Sequence, residues 1–169
     1  MKPPLSWHHR ALYVAESSSG QGVFTKEALA KDIVIARLGG HVMTLEQEQQ
    51  LPPPLCDYPH QIDDDFVLGP CCESEVGLTD YFNHSCMPNI GFRGQISLVT
   101  MKRIASNSEL TFDYAMCISG EPYEIDCTCG RRRCRSKITA DDWRNPVLQK
   151  RYSGYFQPYL AAKITRLKD

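Results

Sequence analysis

Asn83-His84-Ser85-Cys86-Met87-Pro88-Asn89 packs two amides, an imidazole, a hydroxyl and a thiol into seven residues that close on a turn-forming Pro-Asn pair. Alone, such a string is a tight polar turn. It is followed by Glu109-Leu110-Thr111-Phe112-Asp113-Tyr114 and then by Cys127-Thr128-Cys129-Gly130-Arg131-Arg132-Arg133-Cys134, three uncommon strings in a fixed order. The last has the spacing Cys-x-Cys-x4-Cys. It supplies three thiolates where a structural zinc site almost always takes four ligands in a tetrahedron, so one ligand is missing locally. Free thiols and disulfides are the alternatives to a metal.

Together the three strings resemble those of the SET-domain protein-lysine methyltransferases, a resemblance that runs from about Ala11 through Lys137. It implies a mainly β architecture with short helices (α+β), in which the segment holding Asn83 and His84 threads beneath a neighbouring loop as a pseudoknot. It also implies S-adenosylmethionine as the methyl donor. By position, backbone groups of Gly20, Gln21 and Gly22, together with Asn83, His84 and Tyr114, would hold that cofactor. Tyr114 matches the catalytic tyrosine beside it, and Tyr58 aligns by spacing with a second tyrosine of the lysine channel. Cys86 becomes the fourth ligand of a Zn2+ ion shared with Cys127, Cys129 and Cys134. Asp113 copies a structural position that fixes the backbone next to Tyr114. Two residues depart from the pattern: Asp80 stands where many relatives carry arginine, and Val99 stands where ungapped counting from Tyr114 finds Phe or Tyr. The smaller valine implies a roomier lysine pocket able to accept an already methylated amine.

Taken without the resemblance, several of these residues have plainer roles. A Gly-x-Gly pair between two strands, lacking the third glycine and following helix of a dinucleotide fingerprint, is first a tight turn. Asn83 and His84 can serve buried backbone groups, since buried polar atoms find partners, and Tyr114 can be a strand-end tyrosine making one hydrogen bond. The chemistry implied by the resemblance needs a neutral lysine amine, whose unperturbed pKa is about 10.4. A desolvated channel ending at a sulfonium disfavours the ammonium, so geometry rather than a strong general base carries the acceleration.

The 169 residues are one domain's worth of sequence, with 42% hydrophobic content and no apolar run near the roughly 18 residues of a membrane span. The start of the chain, Met1-Lys2-Pro3-Pro4-Leu5-Ser6-Trp7, lacks the apolar core of a secretory signal, so a reducing intracellular compartment, cytoplasmic or nuclear, is expected. A net charge of −1 leaves no broad positive field for nucleic acid. Contact through Arg131-Arg132-Arg133, Arg135 and Lys137 is at most secondary. Acidic residues at Asp63-Asp64-Asp65 and Asp141-Asp142 read as solvated surface, or as a rim attractive to a lysine-bearing peptide. Cys56, Cys71, Cys72 and Cys117 have no metal spacing and are expected to be inert.

Short apolar runs predict strands at 11–14, 33–38, 66–68, 96–101 and 110–112, with Arg93-Gly94-Gln95 as a hairpin turn. Thr44-Leu45-Glu46-Gln47 predicts a capped helix start that Pro52-Pro53-Pro54 must end, and Thr139-Ala140-Asp141-Asp142 predicts a second capping box. From there Trp143, Val147, Leu148, Tyr152, Tyr155 and Phe156 recur at helical spacing, and a further helix is expected after Pro158. These readings divide the chain into a SET domain at 11–116, a post-SET zinc segment at 117–138 and a C-terminal helical tail at 139–169 packed on the same domain. The function they imply is transfer of methyl from S-adenosylmethionine to a lysine ε-amine of a protein or peptide, histone or other. A noncatalytic interaction module that keeps the fold and the zinc is the alternative.

Overall fold

The computed structural model describes residues 5–120 and 123–167. Residues 1–4, which open the stretch read as lacking a signal, and residues 168 and 169 of the expected tail lie outside the described residues. Among the described residues, strands run in chain order as β1 (Trp7–His8), β2 (Leu12–Ser17), β3 (Gly20–Thr25), β4 (Val34–Arg37), β5 (His41–Thr44), β6 (His60–Gln61), β7 (Phe66–Gly69), β8 (Ile90–Arg93), β9 (Ser97–Thr100), β10 (Glu124–Asp126) and β11 (Lys137–Thr139). Three short helices join them: α1 (Leu45–Gln49), α2 (Pro146–Arg151) and α3 (Pro158–Arg166). The architecture is therefore mainly β with short helices, as expected. No helix among the described residues is long and apolar enough to cross a membrane.

The strands form four small antiparallel sheets. The largest has the order β1-β4-β9-β8, and the others are β5-β7-β6, the hairpin β2-β3 and the pair β10-β11. Arg93 pairs with Ser97 at the expected hairpin, where Gly94 takes φ +73°, a conformation that costs glycine little. α1 begins as predicted: Thr44 Oγ accepts from the Gln47 amide, and the Gln47 side chain accepts from the Thr44 amide.

Two expectations fail for identifiable reasons. Residues 110–112 form no ladder strand, because the segment makes single bridges to two different partners. Glu109 pairs antiparallel with Phe24, and Phe112 pairs parallel with His84. Nor does Thr139 start a helix, since it ends β11 opposite Glu124. Its hydroxyl does meet Asp142, but only a 3-10 turn (Asp142–Arg144) follows. The first α-turn waits for Asn145, which accepts from the Val147 amide, with Pro146 at the first helical position.

The core explains how the tail is held. Ile35, Phe92, Leu98, Leu110 and Phe112 are fully buried between the strands, and Trp143, Leu148, Tyr152, Leu160 and Ile164 belong to the same cluster. Backbone bonds from Phe92 to Tyr155 and from Gln157 to Met116 stitch the tail to β8 and to the segment after Tyr114. Gly91 makes this approach possible, because a Cβ there would lie 2.8 Å from the Tyr155 side chain. Val147, counted with the apolar face, is instead exposed.

Candidate active site and metal centre

The Asn83–Asn89 string lies alongside the Glu109–Tyr114 string. Ser85 N donates to Phe112 O, Phe112 N donates to Asn83 O, and Asn89 exchanges bonds with Glu109 O and the Thr111 amide. These contacts lie where the expected crossing would fall. The Asn83 Nδ2 group reaches Ser17 Oγ at 3.1 Å, Gln21 O at 2.9 Å and Glu109 Oε1 at 3.0 Å, so it ties the β2-β3 hairpin to the second string. Gly22 leaves room for this contact: an added Cβ would sit 2.5 Å from Glu109 Oε1 and 2.9 Å from Asn83 Nδ2 and would push these side-chain ends aside.

His84 links this crossing to the cysteines. Its Nδ1 accepts from the Tyr114 amide at 3.2 Å, and burial pushes its pKa down to about 4 against the opposing pull of Asp113. The neutral ring then carries its proton on Nε2, which lies 3.3 Å from Cys86 Sγ and donates to it.

Two cavities meet at Tyr114. The larger, about 440 Å³, is walled by Tyr58, His60, Gln61, Phe82, Phe112 and Tyr114, with Glu48, Asp57 and Asp80 adding acidic groups. The smaller, about 190 Å³, is lined by Ser19, Asn83, His84 and Tyr114 together with residues 125–129. Burial pushes the Tyr114 phenol well above its ordinary value, so it stays protonated where the cavities join. Of the glycine-turn residues, Ser19 reaches the smaller cavity, whereas Gly20, Gln21 and Gly22 are in β3 and bear on it through Asn83. Tyr58 does line the larger cavity, edge-on to Tyr81 with ring centroids 5.7 Å apart.

Val99 does not wall either cavity; it is fully buried in β9, paired with Gly91 and Val34. Phe112, two residues before Tyr114 and 5.2 Å from it ring to ring, does reach the larger cavity. Ungapped counting from Tyr114 lands in β9, on a side chain packed into the core away from both cavities. Asp80, the other departure, accepts from the Gly77 amide at 2.8 Å at the cavity wall, and burial raises its pKa to about 6. Burial likewise raises Glu48 to about 7.

The sulfurs of Cys86, Cys127, Cys129 and Cys134 all lie within 4.8 Å of one another. Tetrahedral Zn–S bonds of about 2.3 Å place ligand sulfurs about 3.8 Å apart. Cys86 Sγ and Cys127 Sγ are 3.7 Å apart, so the donor set fits a zinc ion. Backbone amides of Arg135 and Ser136 point at Cys86 Sγ and Cys134 Sγ, both at 3.4 Å, as suits sulfurs held as thiolates. All eight cysteines are free of disulfides.

Sequence reasoning placed Asp113 as a backbone anchor beside Tyr114 but missed the side chains that hold it. Asp113 is fully buried, and Arg135 clamps it with two bonds of 2.6 and 2.7 Å. Tyr152 Oη adds 2.9 Å and the Ala115 amide 3.1 Å, while Arg135 reaches on to Asp142 at 3.0 Å. The backbone before Tyr114 is thus anchored to the cysteine segment and to the tail. Arg135 had read as one of a basic cluster and Tyr152 as core; with 22 and 39 residues separating them from Asp113, no local signal pairs them.

Comparison with known proteins agrees with this geometry. The family model of the SET domain matches residues 20–115, more than half the chain, and the chain belongs to the SET domain family. Among curated relatives, it is 26% identical over 141 residues to the histone-lysine N-methyltransferase trr of Drosophila melanogaster, covering 76% of this chain and 6% of that protein. It is 24% identical over 158 residues to the histone-lysine N-methyltransferase Su(var)3-9 of Drosophila pseudoobscura pseudoobscura, covering 78% of this chain and 25% of that one. The chain therefore spans 6 to 25% of the length of these relatives. Among solved structures, KRYPTONITE in complex with mCHG DNA and SAH superposes with a TM-score of 0.58 at 22% identity, over 75% of this chain and 28% of that one. A second KRYPTONITE structure, with mCHH DNA, H3(1-15) peptide and SAH, has the same TM-score. The shared fold is the SET fold.

Proposed function

We propose that this chain is a protein-lysine N-methyltransferase that binds S-adenosylmethionine in the smaller cavity and a lysine side chain in the larger. The observation that carries the proposal is that one half-buried, protonated phenol, Tyr114, borders both spaces. SAH, the demethylated form of that cofactor, is named in the solved relatives, and the curated relatives are histone-lysine methyltransferases. These support a lysine-bearing histone or other peptide as substrate and a nuclear or cytoplasmic place of action. In this reading 11–116 is the SET domain, 117–138 the zinc segment and 139–169 the packed tail.

When bound, the cofactor supplies an electrophilic methyl group. The chain's residues do the rest. Asn83 and His84 bind it and keep the β2-β3 hairpin and the Cys86 loop in place around it. Phe112, Phe82 and Tyr58 exclude water from the lysine stem, which favours the neutral amine. Tyr114 Oη orients the amine toward the smaller cavity. Asp57 and Asp80, joined by Glu48 once it ionises above about pH 7, draw a cationic side chain to the larger cavity. Cys86, Cys127, Cys129 and Cys134 would hold Zn2+ as a structural tie without entering the reaction.

The test is transfer of labelled methyl from S-adenosylmethionine to histone and total-protein mixtures. The natural chain is expected to label lysine, and Tyr114→Phe to lower the rate by about 10²-fold, the scale of losing one preorganised hydroxyl. Cofactor binding with no transfer to any acceptor, by either form, would leave the noncatalytic interaction module as the function.

A further inference from the structure

Cys71, expected to be inert, has company. His41 Nε2, Cys71 Sγ and a Glu75 carboxylate oxygen all lie within 4.8 Å of one another, on the side of the β5-β7 pair where β5 starts and β7 has just ended. His41 Nε2 and Glu75 Oε1 are 3.1 Å apart. A nitrogen and an oxygen ligand, each about 2.0 Å from a tetrahedral ion, stand about 3.3 Å apart, so little movement separates this pair from ligation. The other Glu75 oxygen accepts from the Cys71 amide at 3.0 Å, which fixes the carboxylate as an outer-sphere bond would. Met43, two residues along β5 from His41 and on the same face, brings its thioether to 3.5 Å from Cys71 Sγ. A solvent-exposed His-Glu ion pair is worth little and accounts for two of these groups. It does not account for a thiol converging on both.

We propose that His41, Cys71 and Glu75 form a second metal site, separate from the four-cysteine centre, that takes one Zn2+ ion and leaves one position open. Imidazole, thiolate and carboxylate are together a zinc donor set, and three protein ligands with a free fourth position mark an accessible, exchangeable ion. Binding converts the Cys71 thiol to the thiolate and releases its proton to solvent. The ion would cross-link the start of β5 to the 70–75 connection. That connection directly follows β7, whose Val67 walls the larger cavity together with His60, Gln61 and Asp80.

The experiment counts ions. The full chain is reconstituted with excess Zn2+, freed of loose metal by gel filtration, and its zinc per chain is measured beside that of His41→Ala, Cys71→Ser and Cys72→Ser. The natural chain and Cys72→Ser are expected to hold one ion more than His41→Ala or Cys71→Ser. In Co2+-loaded protein, Cys71→Ser is expected to lose one thiolate's share of the sulfur-to-metal charge-transfer absorption. Equal zinc in the natural chain and in folded His41→Ala overturns the site, as does an unchanged Co2+ spectrum in Cys71→Ser. The near-isosteric Glu75→Gln supplies the same comparison should His41→Ala fail to fold. Because each result is a difference of one ion, it stands whether or not the four-cysteine centre is filled and whether or not the chain transfers methyl.

Discussion

Asp113 is a charge held away from water by a single guanidinium, and that makes Arg135 the side chain on which the ground before Tyr114 rests. Breaking a buried pair on one side strands the other charge, so Arg135→Met is expected to cost about 3–5 kcal/mol in urea unfolding. Adding Asp113→Asn should return part of that loss, and a double-mutant cycle measures the coupling. Glu48 and Asp80 carry a different signature. Burial raises both carboxyls, to about 7 and about 6, so the folded chain holds their protons more tightly than the unfolded chain does. Their contribution to stability is complete near pH 4 and is lost as pH rises through 6 to 7. Glu48→Gln is expected to flatten that fall by on the order of 1 kcal/mol between pH 5 and 8, after allowing for solvent screening. Urea midpoints of both forms across that range check it, and an unaltered slope refutes it.

At the scale of elements, β10 and β11 have three residues each and little core of their own; Glu124, Ile125 and Asp126 are all exposed. Beyond the buried Ile138 side chain, their hold on the rest comes through Cys86, Cys127 and Arg135, so the Asp113 clamp and an ion held by the cysteines would supplement a small amount of burial. Chelation to a zinc-free protein is expected to abolish hydrogen-exchange protection in β10 and β11 and to weaken S-adenosylmethionine binding, because residues 125–129 line the smaller cavity. Full cofactor affinity in demonstrably zinc-free protein would show that the two are uncoupled. The basic run looks different in this setting as well. Arg135 is engaged with Asp113 and Asp142 and the exposed Lys137 with Glu124, while Arg131, Arg132 and Arg133 are exposed.

Over the whole molecule, the tail is part of the main core. Leu160 is fully buried in the cluster that contains Phe92 and Phe112. Leu160→Ala should therefore cost about 2–5 kcal/mol and lower the melting temperature by about 10 °C, with one cooperative transition in near- and far-ultraviolet circular dichroism. Two separated transitions would mean that the tail folds apart from the sheets. With a net charge of −1, attraction of the proposed cationic peptide substrate would have to come from the local acidic wall of the larger cavity rather than from the overall field.

Much that is local was legible in the residues themselves. The Thr44 capping box, the turn at Gly94, the β4 and β9 strands and the helix after Pro158 follow from hydrogen bonds and steric limits that span a few positions. The resemblance carried by three short strings supplied the rest of the chemistry, including Cys86 as a partner for cysteines 41 or more residues away. What only the tertiary structure decided are the contacts with no period and no fixed spacing. These are the Asp113 clamp by Arg135 and Tyr152, the choice of Phe112 over Val99 at the cavity wall, the strand-end role of Thr139, and the gathering of His41, Met43, Cys71 and Glu75. Such contacts depend on how loops of tens of residues close around a common core, and loop closure costs so little more with length that the intervening residues need carry no trace of it.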